Sequence, residues 1–456
     1  MAIGGGTAGI AAALEAVKLG GKAAIVEREQ LGGRRIFSGQ IPRRALLQAA
    51  LRSHQARCTI ATPFAEIMAK VRASRAAAIQ RMMDALNPQI DLFFGNAQFV
   101  GPDQLQVGDQ TLRFRRAVIA IGSRMAPPEL PGLETQGYLT EAAVYELDAL
   151  PRRLIVLGAG AAGCEFAQAF RRLGAEVHLV DARETLLPGE LPEAAAIVQR
   201  QFEREGITLR LGWTPTQVDR AGAAKVVIVA RNGDRLKLIA DEILVAGERK
   251  PNAVDLGLDK AGVKCGDQGV QVDDWLRTSN PAIFAAGSVC GSDHADYPEV
   301  FARLAACNAM LLRYRRTTGL MLPHCTLTDP EIARVWLSPS AAAEEPWEID
   351  VHRAELSEID DCLTTGAAPG FIEMETAFGT DRILGALAVG PNAGGLLAPV
   401  VLAMTNGLGL KAIAKTHFCD PAQAAAFQRL TSKFVRERRS PRIEGWLQKW
   451  HSWRRS

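Results

Sequence analysis

The sequence has no paired cysteines. Its eight cysteines (Cys58, Cys164, Cys265, Cys290, Cys307, Cys325, Cys362 and Cys419) are scattered, none forms a CxxC, and no group has metal-site spacing. This excludes a disulfide-stapled scaffold and a structural zinc site, and it predicts reduced thiols in a cytoplasmic chain with no bound metal. No charge-free apolar run approaches the roughly 18 residues of a membrane span. A formal net charge of +3 is too small to argue for nucleic acid. No signal peptide is visible, because the first residues run directly into glycines. There is no short-period repeat and no low-complexity linker. What remains is ordinary globular composition, 48% hydrophobic and 23% charged over 456 residues. That length is enough for about two to four domains.

Residues 2–27 read as strand, glycine turn, helix, strand. The helical text AGIAAALEAVKLG stops at Gly20, and KAAIVE reads as a buried strand. Residues 152–181, RRLIVLGAGAAGCEFAQAFRRLGAEVHLVD, repeat the plan. Two such starts in one chain imply two nucleotide-binding domains. Only Met1, Ala2 and Ile3 precede the first turn, so the first strand is read either as a short stub or as cut by a start placed too far downstream. From about residue 321 the text becomes α+β in character, distinct from the two wound sheets.

Gly4-x-Gly6-x-x-Gly9 lies between a strand and a helix. Glycines there allow a tight turn, close approach of a pyrophosphate and helix–strand packing, and the helix N-terminus offers free N–H groups to phosphate. Glu27, at the end of the second strand, is placed to accept ribose hydroxyls. Gly158-x-Gly160-x-x-Gly163 repeats the geometry with Asp181 in the same place. Asp181 favours a free 2′-hydroxyl and hence NADH, whereas Arg183 suits a 2′-phosphate and leaves NADPH open.

With these turns, several further segments resemble the class I pyridine nucleotide–disulfide oxidoreductases. Ile119-Ala120-Ile121-Gly122-Ser123 is similar to that family's ATGS strand, and Gly247 to Asn252 to its G-R-x-P-N segment. Thr278 to Gly287 resembles its second flavin motif, and Thr328-Asp329-Pro330-Glu331 the opening of its dimerisation domain. The resemblance implies an α/β fold with two Rossmann-like domains and a C-terminal α+β dimerisation domain. The implied borders are 1–147 and 253–320 for FAD, 148–252 for NAD(P), 321–435 for dimerisation and 436–456 for a tail. It implies a homodimer with FAD held by Gly4, Gly6, Gly9, Glu27, Gly122, Gly287 and Ser288. NADH or NADPH would be held by Gly158, Gly160, Gly163, Asp181 and Arg183, with Glu165 near the nicotinamide.

Against that family the stretch LGGRRIFSGQIPRRALL (31–47) departs at its centre. The two redox cysteines are Arg35 and Gln40, and the lysine expected near the flavin is Arg44. Counted from Gly390, the histidine position holds Asp420 and its partner acid is Ala425, with His417 three residues too early. The aspartate after the second flavin motif is Ser288. Disulfide reduction needs two thiols and a proton shuttle, and all three are absent. The reading is an FAD-dependent NAD(P)H oxidoreductase using a small-molecule, non-disulfide acceptor, first of all a quinone. Arg35, Gln40 and Arg44 are expected to form the acceptor pocket. The alternatives are a non-catalytic or sensing flavoprotein and a soluble transhydrogenase. The tail carries seven basic residues against two acidic ones, with Trp446, Trp450 and Trp453 on one face if it is helical. That face is expected to pack on the dimer or a protein partner, with peripheral contact at the inner membrane face as the alternative.

Overall fold

The computed structural model describes residues 1–55, 62–311, 314–337, 348–366, 369–419, 422–437 and 450–455. The chain forms two compact units, Met1–Ala195 with Phe202–Thr317, and Ala196–Gln201 with Thr318–Ser456.

The first unit opens with β1 (Ala2–Ile3), α1 (Thr7–Lys18), β2 (Ala23–Glu27), α2 (Gly33–Phe37), α3 (Gln40–Gln55), α4 (Phe64–Ala85) and β3 (Ile90–Phe94). An antiparallel meander comes next, β4 (Ala97–Gly101), β5 (Gln104–Val107) and β6 (Gln110–Arg113), and then β7 (Ala117–Ile119). A short strand β8 (Ser123–Met125) and the turn α5 (Leu133–Gln136) lead into the repeat of the opening plan. That repeat is β9 (Arg153–Leu157), α6 (Ala161–Leu173) and β10 (Glu176–Asp181), followed by α7 (Pro192–Glu205) and β11 (Thr208–Leu211). The meander β12 (Thr214–Ala221), β13 (Ala224–Arg231), β14 (Asp234–Ala240) precedes β15 (Glu242–Val245) and β16 (Arg249–Pro251). The small hairpin β17 (Cys265–Gly266), β18 (Gly269–Val270) leads to β19 (Ile283–Ala285) and α8 (Pro298–Leu311).

Two sheets result. One has the order β19-β7-β1-β2-β3 and the other β11-β10-β9-β15, all parallel. β19 reaches the first sheet from beyond the second, so the text after residue 252 returns to the domain that opened the chain. The inner strands β1, β7 and β9 are buried along most of their length, hence their near-continuous apolar text. The first strand spans two residues of this sequence and pairs with a neighbour on each side. Helix α1 buries Ala8 to Ala13 and α8 buries Ala302, Ala305, Ala306 and Ala309, and these small side chains let the two helices lie close together. α1 ends at Lys18, and Gly20 at φ +82° turns the chain back toward the sheet.

The second unit is a five-stranded antiparallel sheet of order β20-β21-β24-β23-β22, with β20 (His324–Thr326), β21 (Glu331–Trp336), β22 (Ile349–Glu355), β23 (Phe371–Ala377) and β24 (Ile383–Gly390). Helices Ala398–Thr405, Leu410–Lys415 and Ala425–Glu437 cover it through a core that includes Ile372, Met374, Ala388, Phe427 and Phe434. Asp420 and Trp446, with most of the tail, lie outside the described residues. Trp450 and Trp453 sit on a short helical stretch at 450–455, exposed by 37% and 74%. No helix of the described residues is long and apolar enough to cross a membrane.

The glycine turns set the spacing of helix and strand. A Cβ on Gly9 would overlap the carbonyl oxygen of Gly4, and one on Gly163 that of Gly158. Gly160 has open space in that direction. Gly9→Ala and Gly163→Ala should each cost about 1–3 kcal/mol, the usual penalty of overpacking, whereas Gly160→Ala should stay close to the parent. Thermal melts of the three variants check the order.

Candidate active site

At the C-terminal edge of the first sheet, Gly4 (φ +105°) and Gly6 bring the chain into α1. Gly6 is the N-cap and no side chain caps the helix, so the first amides of a 12-residue helix are open to an anion. Gly33 packs over Gly6, and a Cβ there would stand 2.7 Å from the Gly6 Cα. Glu27 ends β2. Its Oε2 accepts from the Gly5 N–H at 2.6 Å, and its Oε1 from the N–H groups of Arg28 and Glu29 at 2.8 and 2.9 Å. A cleft of about 80 Å³ runs past Gly6, Thr7, Gly122, Gly287 and Ser288 to Arg34, Arg35 and Gln40. Bare helix amides, a glycine floor and a ribose-facing carboxylate fit the ADP half of a dinucleotide such as FAD. Ser288, where a carboxylate was expected, accepts a hydrogen bond from Ser123 Oγ at 3.0 Å.

The second sheet repeats the arrangement. Gly158 (φ +112°) turns the chain, Gly160 is the N-cap of α6 without a side-chain cap, and Asp181 ends β10. Asp181 is buried, and its Oδ2 accepts from the Ala159 N–H at 2.7 Å. Arg183 folds back onto it: its N–H and Nε donate to Oδ1 at 2.8 and 2.9 Å, and Nη2 donates to Oδ2 at 2.8 Å. Burial alone would push the Asp181 carboxyl up. The Arg183 bonds and the two backbone N–H groups more than offset this and hold it below the usual carboxylate range.

Between the two glycine turns lies a buried charge cluster. Arg43, on α3, is 2.6 Å from the carboxylate of Glu165, on α6, with side chains 14% and 2% exposed. Burial disfavours the Arg43 cation, but Glu165 and Glu141 outweigh it and raise its pKa. Glu141 also faces Arg34 at 3.8 Å and Arg249 at 3.4 Å. Burial lowers both arginines, and Arg249, pushed further by the Arg34 charge, falls to about 10 and stays cationic at neutral pH. Arg249 donates to Ser123 Oγ at 3.2 Å, which connects the cluster to Ser288. The Tyr145 hydroxyl is buried here without a hydrogen-bond partner among the described residues.

Arg44 is exposed and lines neither the cleft nor the hollow beside it; Arg43 is the arginine that reaches Glu165. Pro42, Leu46 and Ala50 form the buried stripe of α3, and at about 100° per residue Arg44 falls almost opposite to it. Arg35 and Gln40 do line the cleft. Arg35 is not free, since its Nη1 meets Glu299 Oε1 at 2.6 Å, on the first turn of α8. Arg35 and Thr7 also line a second hollow of about 400 Å³, with apolar walls including Ile10, Leu14, Ile36 and Met82 and with Arg81 and Arg303 among its lining. Neither hollow is lined by a cysteine.

Residues 1–308 match the family model described as pyridine nucleotide-disulphide oxidoreductase, and residues 322–431 match its dimerisation domain. The chain belongs to the pyridine nucleotide-disulphide oxidoreductases. A mercuric reductase of Staphylococcus aureus is 31% identical over 90% of this chain and 77% of its own. A dihydrolipoyl dehydrogenase of Thermus scotoductus is 32% identical over 89% of this chain and 90% of its own. The fold is also that of the HOCl-induced flavoprotein disulfide reductase RclA of Escherichia coli and of LpdA of Mycobacterium tuberculosis. Each has a TM-score of 0.84, at 24% and 23% identity, covering 94% and 95% of this chain and 98% and 99% of theirs. As an oxidoreductase of this family the protein takes FAD and NAD(P)H, and it carries the dimerisation domain.

Sequence reading missed Arg43, Glu141, Arg249 and Tyr145. The periodicity of α3 held the signal for Arg43, but Glu141 and Tyr145 lie in irregular text with none. Arg43→Ala would break the buried ion pair with Glu165, at a cost of about 3–5 kcal/mol. Arg44→Ala, at an exposed position, should change stability by no more than about 0.5 kcal/mol. Urea unfolding followed by intrinsic fluorescence distinguishes the two.

Proposed function

We propose that the protein is an FAD-dependent NAD(P)H oxidoreductase that passes electrons to a non-disulfide acceptor, in the first place a quinone. The observation that carries this reading is the thiol-free hollow beside the flavin cleft. In the positions where the family keeps its redox pair the chain has Arg35 and Gln40, and both line the cleft. Apolar walls suit a flat ring, and the arginines suit its carbonyl oxygens as donors. FAD bound along Gly4, Gly6 and Glu27 would supply the two-electron relay between nicotinamide and acceptor. The net change is NAD(P)H, a quinone and a proton going to NAD(P)+ and a quinol. Arg35 is braced by Glu299, so its guanidinium keeps one orientation while it meets the acceptor.

Anaerobic titration with NADH or NADPH should bleach the flavin, and added quinone should restore its colour. No bleaching would favour a scaffold without turnover. Turnover should resist arsenite, which needs a reduced dithiol to chelate. Arg35→Ala should slow reoxidation by quinone about tenfold, or about 1.4 kcal/mol, and leave reduction by NAD(P)H unchanged. The effect is at the lower end for a charged hydrogen bond because Arg35 is 40% exposed. Stopped-flow measurement of the two half-reactions checks this, and equal rates in both would remove Arg35 from the acceptor site.

A further inference from the structure

We propose that the hollow beside the flavin cleft takes a quinone that carries an anionic substituent, a carboxylate or sulfonate, and that Arg81 and Arg303 read its charge. The inference rests on the quinone reading above and adds to it the charge class of the acceptor.

Three helices wall this hollow. Ala78, Arg81 and Met82 are spaced i, i+3, i+4 on α4 and so share one face. Ile10 and Leu14 stand one turn apart on α1, and Glu299 and Arg303 one turn apart on α8. Ile10 and Ile36 are buried, whereas Arg81 and Arg303 are exposed. Apolar side chains thus form the floor, and guanidinium groups the rim. A volume of about 400 Å³ is that of a small-molecule site.

The charges do not cancel. Glu299 is the one acid in the lining, against Arg35, Arg81 and Arg303. Its Oε1 meets Arg35 Nη1 at 2.6 Å, and its Oε2 lies 3.8 Å from Arg303 Nη2. Arg81 has no carboxylate within ion-pair distance among the described residues, and its Nε donates to the Ala77 carbonyl of its own helix at 3.4 Å. Arg35 and Glu299 therefore neutralise one another, and Arg81 and Arg303 keep their charge for a ligand.

The placement divides the work between the arginines. Thr7 and Arg35 line both the cleft and the hollow, so the end they share is where an acceptor ring comes within reach of the flavin. Arg81 and Arg303 line the hollow alone. A ring at the shared end leaves its substituent to the part of the hollow that these two residues line. The guanidinium fork matches a carboxylate or sulfonate through paired N–H groups. At an exposed rim such a contact costs little desolvation, and the same charges steer an anion toward the mouth, an effect that salt screens. The substituent takes no part in electron transfer, which stays with the ring.

The test uses the FAD-loaded protein, reduced anaerobically with NAD(P)H. It is mixed in a stopped-flow instrument with subsaturating menadione carrying a propionate side chain on the quinone ring, or with the methyl ester of the same compound. The two share one ring and differ in charge. At low salt the acid should reoxidise the flavin about fivefold faster than the ester, the scale of an exposed charge pair, and the ratio should fall toward unity at high salt. Arg81→Gln combined with Arg303→Gln should bring the ratio close to unity at low salt as well. Arg113→Gln, which removes an exposed charge outside the hollow, should keep the parent ratio. Equal rates for acid and ester in the parent, or an unchanged ratio in the double variant, would overturn the proposal and leave the quinone reading intact. If neither compound reoxidises the flavin, the quinone reading fails and this inference with it.

Discussion

The close approach of each glycine-turn carbonyl to its adjoining helix governs the nucleotide-binding unit. The Gly4 and Gly158 oxygens lie where Cβ atoms of Gly9 and Gly163 would be. With those atoms missing, α1 and α6 start directly at the sheet edge, and their uncapped amides point into open space. The next strand then ends beside the same turn and brings Glu27 and Asp181 within hydrogen-bond distance of Gly5 and Ala159. An uncapped helix start and a strand-end carboxylate arise together from one steric fact, used twice.

The buried charges between the two turns serve a different purpose. A buried ion pair adds little net stability, because desolvation consumes most of the attraction, yet either partner alone is stranded at high cost. Arg43 and Glu165 join α3 to α6, the helix that starts at the second glycine turn. Arg34 and Arg249 share Glu141; burial and the neighbouring cations lower the proton affinity of both, whereas Glu165 and Glu141 raise that of Arg43. Arg34 of this cluster also lines the cleft, beside Arg35 and Gln40.

What the sequence showed and what it hid divides along physical lines. Glycine turns and parallel strands were legible, because each depends on local spacing or on apolar text, and the return of the chain to its first sheet was implied only by the resemblance of Thr278 to Gly287 to a second flavin motif. A count along a motif ignores helical phase, which Pro42, Leu46 and Ala50 record and which turns Arg44 to the exposed side of α3. Glu299, the partner of Arg35, is distant in sequence and has no local mark. Glu141 could not be found at all, since nothing in irregular text distinguishes a buried carboxylate from a solvated one.

Asp181 shows where motif reading stops being chemistry. An acid at the end of the second strand is taken to bind ribose hydroxyls because it is an acceptor, but acceptor capacity is finite. Glu27 and Asp181 have equivalent positions, strands and turns, and the bonds from Gly5 and Ala159 match. The difference lies two residues further along: Glu29 draws a neighbouring arginine away from Glu27, and Arg183 places its own guanidinium on Asp181. The acid is the same signal in both halves of the sequence. Its remaining lone pairs decide what it can bind, and those are counted only once the donors around it are known.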